Sequence, residues 1–168
     1  RANLRKANQL LNEAGWVITD GKRVNSGNGN QFEFEVLLVQ PGFERIVLPF
    51  TRYLEKLGIE VKVRTVDTSQ YRQRLNTYDY DMIVSSFGQS LSPGNEQRSF
   101  WGSDTAAMEG GRNYIGITNP AIDTLVEHII EAKDREELVT ATRSLDRALQ
   151  WGHWVIPPVS YTHLTLPT

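Results

Sequence analysis

The chain has 168 residues, with 18 Lys and Arg against 20 Asp and Glu, a formal net charge of -2, 39% apolar residues and 10% aromatic residues. That balance offers no electrostatic footprint for a nucleic-acid backbone, the apolar content excludes a disordered chain, and no apolar run reaches the roughly 18 residues of a membrane-spanning helix. Cysteine is absent, which excludes disulfides, thiolate catalysis and thiolate metal sites and leaves a globular α/β or α+β domain long enough to bury a core.

Leu4, Ala7, Leu10, Leu11 and Ala14 recur at helical spacing and predict a helix from Ala2, closed by Gly15. Arg1 is not a natural start and a helix follows at once, so the chain is expected to enter in mid-domain, with no signal peptide in the segment. Trp16–Thr19 and Lys22–Val24 flank Asp20-Gly21, a hairpin signal. Asn25 to Asn30 reads as a turn-rich loop. It lacks the acidic ligands of a calcium loop, and no metal is expected there.

Gln31 to Val39 alternates Phe32, Phe34, Val36 and Leu38 against Glu33 and Glu35, and then Leu37 and Val39 make the other face apolar too, as in a covered strand. Gly42 to Leu57 reads as a helix with Phe43, Ile46, Phe50, Tyr53, Leu54 and Leu57 on one stripe, and Pro49 is expected to kink or split it. Ile59 to Val66 forms a second strand with Ile59, Val61 and Val63 inward. Thr68 is placed as the cap of a short helix carrying Tyr71 and Leu75, and Asp81 to Ser85 forms a third, buried strand. Strand, helix, strand, helix, strand implies βαβ units.

From Ser86 to Gly116 the chain is polar, Gly-rich and irregular, apart from a short helix around Asn95 to Trp101. So long an irregular stretch points to function or mobility. Asn119 then caps a helix with Pro120 at its first position and Ile122, Leu125, Val126, Ile129 and Ile130 on its buried face. Asp134 caps another, with Glu137 at the capping-box position and Leu138, Ala141, Leu145, Ala148 and Leu149 inward. Trp154-Val155-Ile156 is a candidate closing strand.

Reactive chemistry finds little support. The three histidines, His128, His153 and His163, belong to no metal-ligand spacing, and His128 falls on a polar helix side. Asp79 and Asp81 offer carboxylates to a hydrolase, but the simpler reading is that they bracket the start of the third strand. Arg72 and Arg74 are expected to be solvated, and Gly110-Gly111-Arg112 to be a loop rather than an anion cradle. No cofactor is expected.

The positive signal is Ser85 to Asn95, directly beyond the third strand, where α/β sheets tend to bind ligands. Its hydroxyls, its amide and the backbone groups near glycine suit neutral hydrogen bonding to a peptide main chain, with Phe87 as an apolar wall. The simpler alternative is a polar surface loop.

Leu10 to Trp16 (LLNEAGW), Tyr53 to Val61 (YLEKLGIEV), Val66-Asp67 with Tyr71 and Arg74-Leu75, Tyr80-Asp81-Met82, and then Tyr114-Ile115-Gly116 with Asn119 to Leu125 follow one another across about 150 residues. In this order they resemble the family 5 extracellular solute-binding proteins, the peptide-binding components of ABC importers. Ser85 to Phe100 (SSFGQSLSPGNEQRSF) resembles the Yej-type oligopeptide-binding branch.

The resemblance implies a periplasmic-binding-protein-like fold of the second type, of which residues 1–158 form an incomplete C-terminal lobe. The partners it implies are a peptide ligand, an ABC transporter membrane permease and the missing N-terminal lobe, all in the periplasm or at the cell-envelope exterior. In peptide-binding relatives an aspartate shortly after the strand pairs with the ligand's amino terminus. Here that position falls near Gln89 or Ser90, both neutral, so a modified or differently oriented peptide is permitted.

The expected ligand-facing residues are Phe87, Gln89 and Ser90, with Ser86 and Gly88 offering backbone or hydroxyl bonds, and Arg98, Asn113 and Tyr114 at the cleft or its rim. Arg98 is placed for a ligand carboxylate or, equally, for a surface ion pair. Trp101 is expected in the loop core. The family match stops near Ile156-Pro157, and residues 159–168 resemble translated adapter sequence, a non-native tail carrying Tyr161 and His163. A sensor or interaction lobe signalling to a membrane receptor is the alternative to an importer component.

Overall fold

The computed structural model describes residues 2–156, so the segment read as a non-native tail, with Tyr161 and His163, lies outside the described residues. The chain divides after Ser85 into two units.

In the first unit, α1 (Ala2–Glu13) leads into a hairpin of β1 (Trp16–Thr19) and β2 (Lys22–Asn25). Asp20 and Gly21 take φ values of 51° and 79°, the left-handed pair that a two-residue hairpin turn requires. The Asn25 side chain accepts from the amides of Gly27 and Asn28, so the Asn/Gly loop is turn chemistry. Next come β3 (Glu33–Leu38), a single 3-10 turn at Pro41–Phe43, α2 (Glu44–Glu55), β4 (Glu60–Thr65), α3 (Thr68–Asn76) and β5 (Met82–Ile83).

The three strands β4-β3-β5 form a parallel sheet with β3 in the middle, registered from Glu33 opposite Glu60 to Leu38 opposite Thr65. Central β3 is covered on both faces, as its composition requires. Val36 and Leu38 pack with Val47, Phe34, Phe43, Val61, Val63 and Met82, while Leu37 on the opposite face is 0% exposed.

Several expectations in this unit need correction: the third strand, expected buried over Asp81 to Ser85, is only Met82–Ile83 and half-buried. Helix α2 runs unbroken through Pro49. Pro49 and Arg45 both lie on the exposed side, where water can satisfy the carbonyl that proline leaves without a donor. The buried stripe of α2 passes through Val47 and Thr51, leaving Ile46 and Tyr53 outside at 42% and 54% exposure. The cap of α3 is Asp67 rather than Thr68, its carboxylate accepting from the amides of Ser69 and Gln70.

The composition gave no warning of Arg23, which is fully buried. Its Nε donates to the Leu57 carbonyl at 2.8 Å, Nη1 to Asn12 Oδ1 at 3.0 Å and the Trp16 carbonyl at 3.1 Å, and Nη2 to Asn8 Oδ1 at 2.6 Å. One guanidinium thereby ties α1, the hairpin and the α2–β4 turn together, with burial pulling its pKa down. The Arg23 amide also donates to the Gly58 carbonyl at 2.7 Å. Gly58 has φ +79°, and a Cβ there would meet Arg23 N at 2.9 Å, so the close approach requires glycine.

In the second unit, α4 (Glu96–Trp101), a 3-10 turn at Ser103–Thr105, α5 (Pro120–Ile130) and α6 (Arg135–Trp151) surround one core. That core holds Phe100, Trp101, Ile117, Ile122, Val126, Ile129, Ala141 and Leu145. Asn119 and Asp134 cap α5 and α6 through their side chains, as read from sequence. Glu137 reaches back one residue further than a capping box, its carboxylate accepting from the Lys133 amide. Trp154-Val155-Ile156 forms no strand and is exposed at 37%, 45% and 57%.

Candidate functional site

The chain leaves β5 and enters the polar segment at Ser86. Ser86, Gly88, Gln89 and Ser90 are all exposed, as the ligand-facing reading needs. Phe87 behaves differently. It is half-buried, its ring 4.6 Å from that of Trp101 and 5.6 Å from that of Phe100, and it anchors the segment in the core of the second unit. Only the part of the ring left exposed can border a ligand.

The segment is braced along its length. Ser90 Oγ accepts from the Ser92 amide at 3.1 Å, and Arg135 Nη1 at the start of α6 donates to the Leu91 carbonyl. Gln89 Oε1 accepts from Gln97 Nε2 at 2.7 Å, and Gln97 Oε1 accepts from the Trp101 indole at 3.0 Å. Gln97 also donates to Glu96 Oε1 at 3.2 Å, which accepts from the Gly94 amide as well. Those bonds hold the Glu96 carboxyl below the usual glutamate range, the Gly94 amide foremost. Gln97 is 3% exposed and was not singled out from sequence. The available signal was its spacing, four residues before a tryptophan on a helix whose indole must find an acceptor.

Of the rim residues, Asn113 is 0% exposed. Its Nδ2 donates to the Gly102 and Ile117 carbonyls at 3.0 Å each, and its Oδ1 accepts from the Ile117 amide at 3.1 Å. The side chain is therefore committed to holding the irregular loop onto α4. Arg98 adopts the ion-pair alternative. Its Nε and Nη2 straddle the Glu127 carboxylate at 3.0 and 2.6 Å, and Glu127 raises its pKa. Both side chains are 44% exposed, so the pair adds little stability. Tyr114 is half-buried. Arg112 lies over the Phe100 ring at 4.5 Å, which makes it a cover of the core rather than an anion ligand.

The carboxylates considered for hydrolysis are structural. Asp79 Oδ2 accepts from Arg74 Nε at 2.8 Å, and Asp81 Oδ2 accepts from the Glu35 amide at 2.8 Å. Arg74 is not solvated as expected: its side chain is 15% exposed and also bonds Glu35 at 2.7 Å. Among the described residues, no three of His, Asp and Glu come together as a metal site, and no helix is long and apolar enough to cross a membrane.

Two open depressions lie in the second unit, one along α5 and α6 beside His128, Glu131 and Thr140, the other beside Arg98, Asp104 and Asp123. Neither is lined by residues 86–90, of which all but Phe87 are exposed.

The sequence and the fold match a known class of binding protein. Residues 1–109, more than half of the chain, match the family described as bacterial extracellular solute-binding proteins, family 5 Middle, and the chain belongs to that family. It is 52% identical over 157 residues to the uncharacterized protein y4wM of Sinorhizobium fredii, covering 94% of this chain and 24% of that protein. It is 44% identical over 157 residues to the probable peptide-binding protein YejA of Agrobacterium fabrum, covering 94% and 26%. The oligopeptide-binding protein AppA from Bacillus subtilis, in complex with a nonapeptide, superposes with a TM-score of 0.74 at 27% identity, over 86% of this chain and 29% of that one. The fold is thus part of a type II periplasmic binding protein. The chain spans about a quarter of the length of these curated relatives.

Proposed function

We propose that the full-length protein captures an oligopeptide or peptide-like ligand outside the cytoplasmic membrane and delivers it to an ABC transporter permease, with residues 1–158 forming part of its C-terminal lobe. The supporting observation is the exposed, braced and uncharged run Ser86, Gly88, Gln89 and Ser90. Neutral donors and acceptors suit the main chain that all peptides share, and each buried main-chain group left without a partner costs about 1–3 kcal/mol.

In this reading Gln89 and Ser90 touch ligand, Ser86 and Gly88 add backbone or hydroxyl bonds, and Phe87, Tyr114, Asn113 and Arg98 shape and hold the surface. The exposed side of residues 86–90 is closed by the remainder of the full-length protein, and water is excluded on closure. The family match and the probable peptide-binding relative support the peptide class.

The test is to purify the full-length protein from periplasm, denature it and identify the released ligand by mass spectrometry, then titrate that compound back by calorimetry. A peptide or peptide conjugate that rebinds supports the proposal. A sugar or metal chelate released with no peptide refutes it.

A further inference from the structure

Tryptophan's indole nitrogen is a donor only. Trp101 Nε1 faces Gln97 at 3.0 Å, so the atom it meets must be the Gln97 amide oxygen. The Gln97 NH2 then points the other way, and both of its hydrogens are placed, one on Glu96 Oε1 and one on Gln89. A donor at 2.7 Å requires an acceptor, so Gln89 must turn its own oxygen inward. Its NH2 group is left facing outward, and no described residue accepts a hydrogen bond from it. One buried indole thus determines, through a buried glutamine, which end of an exposed glutamine meets the outside.

We infer that Gln97 is a positioning residue that locks Gln89 with its two amide hydrogens outward, so that this point of the site takes a carbonyl or carboxylate oxygen of the ligand and disfavours an ammonium group. The inference rests on the peptide-binding reading above and refines it. The ligand presents an acceptor at Gln89, either a main-chain carbonyl or an acylated amino terminus. An unlocked glutamine would flip to suit either partner. This one is held by two bonds in series, with Gln97 at 3% exposure, and a flip would set two NH2 groups or two oxygens against each other.

The test uses the full-length protein and two probes, N-acetyl-tetra-alanine and tetra-alanine, titrated by calorimetry. Gln89→Ala removes the outward donor and weakens N-acetyl-tetra-alanine several-fold. Gln89→Glu keeps the acceptor for Gln97 but turns an oxygen toward the ligand, and weakens it further, by roughly tenfold or more. Gln97→Glu still accepts from Trp101 but can no longer donate. Gln89 then flips, and the acetylated probe weakens although residue 97 never meets it.

In the Gln89→Ala background Gln97→Glu has no further effect on affinity, because Gln97 acts only through Gln89. A merely structural role for Gln97 would persist in that background and overturn the inference. So would Gln89→Glu tightening N-acetyl-tetra-alanine, or matching Gln89→Ala on that probe. If the unaltered protein binds neither probe although its released peptide rebinds, this inference falls and the peptide reading stands; binding with the wrong order among variants likewise refutes only the inference, whereas release of a sugar or metal chelate with no peptide removes both.

Discussion

Asn113 is the residue for which a structural and a ligand-binding role predict opposite outcomes. Asn113→Leu keeps the volume and removes three hydrogen bonds. The Gly102 carbonyl tolerates this, because the Thr105 amide and hydroxyl also donate to it at 3.1 and 2.9 Å. The Ile117 amide and carbonyl have no second partner among the described residues, and Ile117 is 2% exposed. Two orphaned backbone groups at about 1–3 kcal/mol each give a loss of about 2–6 kcal/mol. Hydrogen–deuterium exchange on the full-length variant should show the protected amides of α4 and α5 opening more easily by that amount, while β3 stays unchanged. Ligand affinity, corrected for the folded fraction, should hold. A variant that loses affinity while its opening free energies move by less than about 0.5 kcal/mol would refute the reasoning and return Asn113 to the ligand.

Arg23→Met deprives the Leu57 and Trp16 carbonyls of a donor and releases Asn8 and Asn12. The expected loss is about 3–5 kcal/mol, read as faster exchange through α1 and the hairpin, and Arg23→Lys should rescue little because it lacks the planar fork. Gly58→Ala forces a Cβ to 2.9 Å from Arg23 N at a φ of +79°, and should lower the melting stability of the same unit by about 1–3 kcal/mol. The Glu96 carboxyl is held below the usual range, mainly by the Gly94 amide. Its contribution is therefore complete above the ordinary glutamate pKa and is lost as pH falls through the lower folded value. Glu96→Gln should flatten that acid limb in denaturation curves collected as a function of pH; an unchanged limb would contradict the assignment.

Local signals were legible where one or two neighbouring residues settle the geometry. Asp20-Gly21 dictated a hairpin turn, Asn119-Pro120 and Asp134 dictated helix starts, and the doubled apolar pattern of Val36, Leu37 and Leu38 marked a central strand. What was not legible depends on partners distant in the chain. Arg23 reads as the polar half of a hairpin, yet it bonds a carbonyl 34 residues away. Arg74 reads as solvated until Glu35, 39 residues away, is placed beside it. Periodicity centred the α2 stripe on its largest side chains, but burial follows the sheet it packs on and chose Val47 and Thr51. In the candidate site, exposure of Ser86, Gly88, Gln89 and Ser90 followed from composition, whereas the packing of Phe87 and the bracing by Gln97 required the fold of α4.

The central claim is that the uncharged run beyond β5 grips ligand main chain. Backbone amide exchange of the full-length protein, measured with and without its purified ligand at saturation, addresses it directly. Amides 86–92 should slow on ligand addition while those of Glu33–Leu38 do not change. Saturating ligand that leaves amides 86–92 exchanging at their free rates would contradict the account.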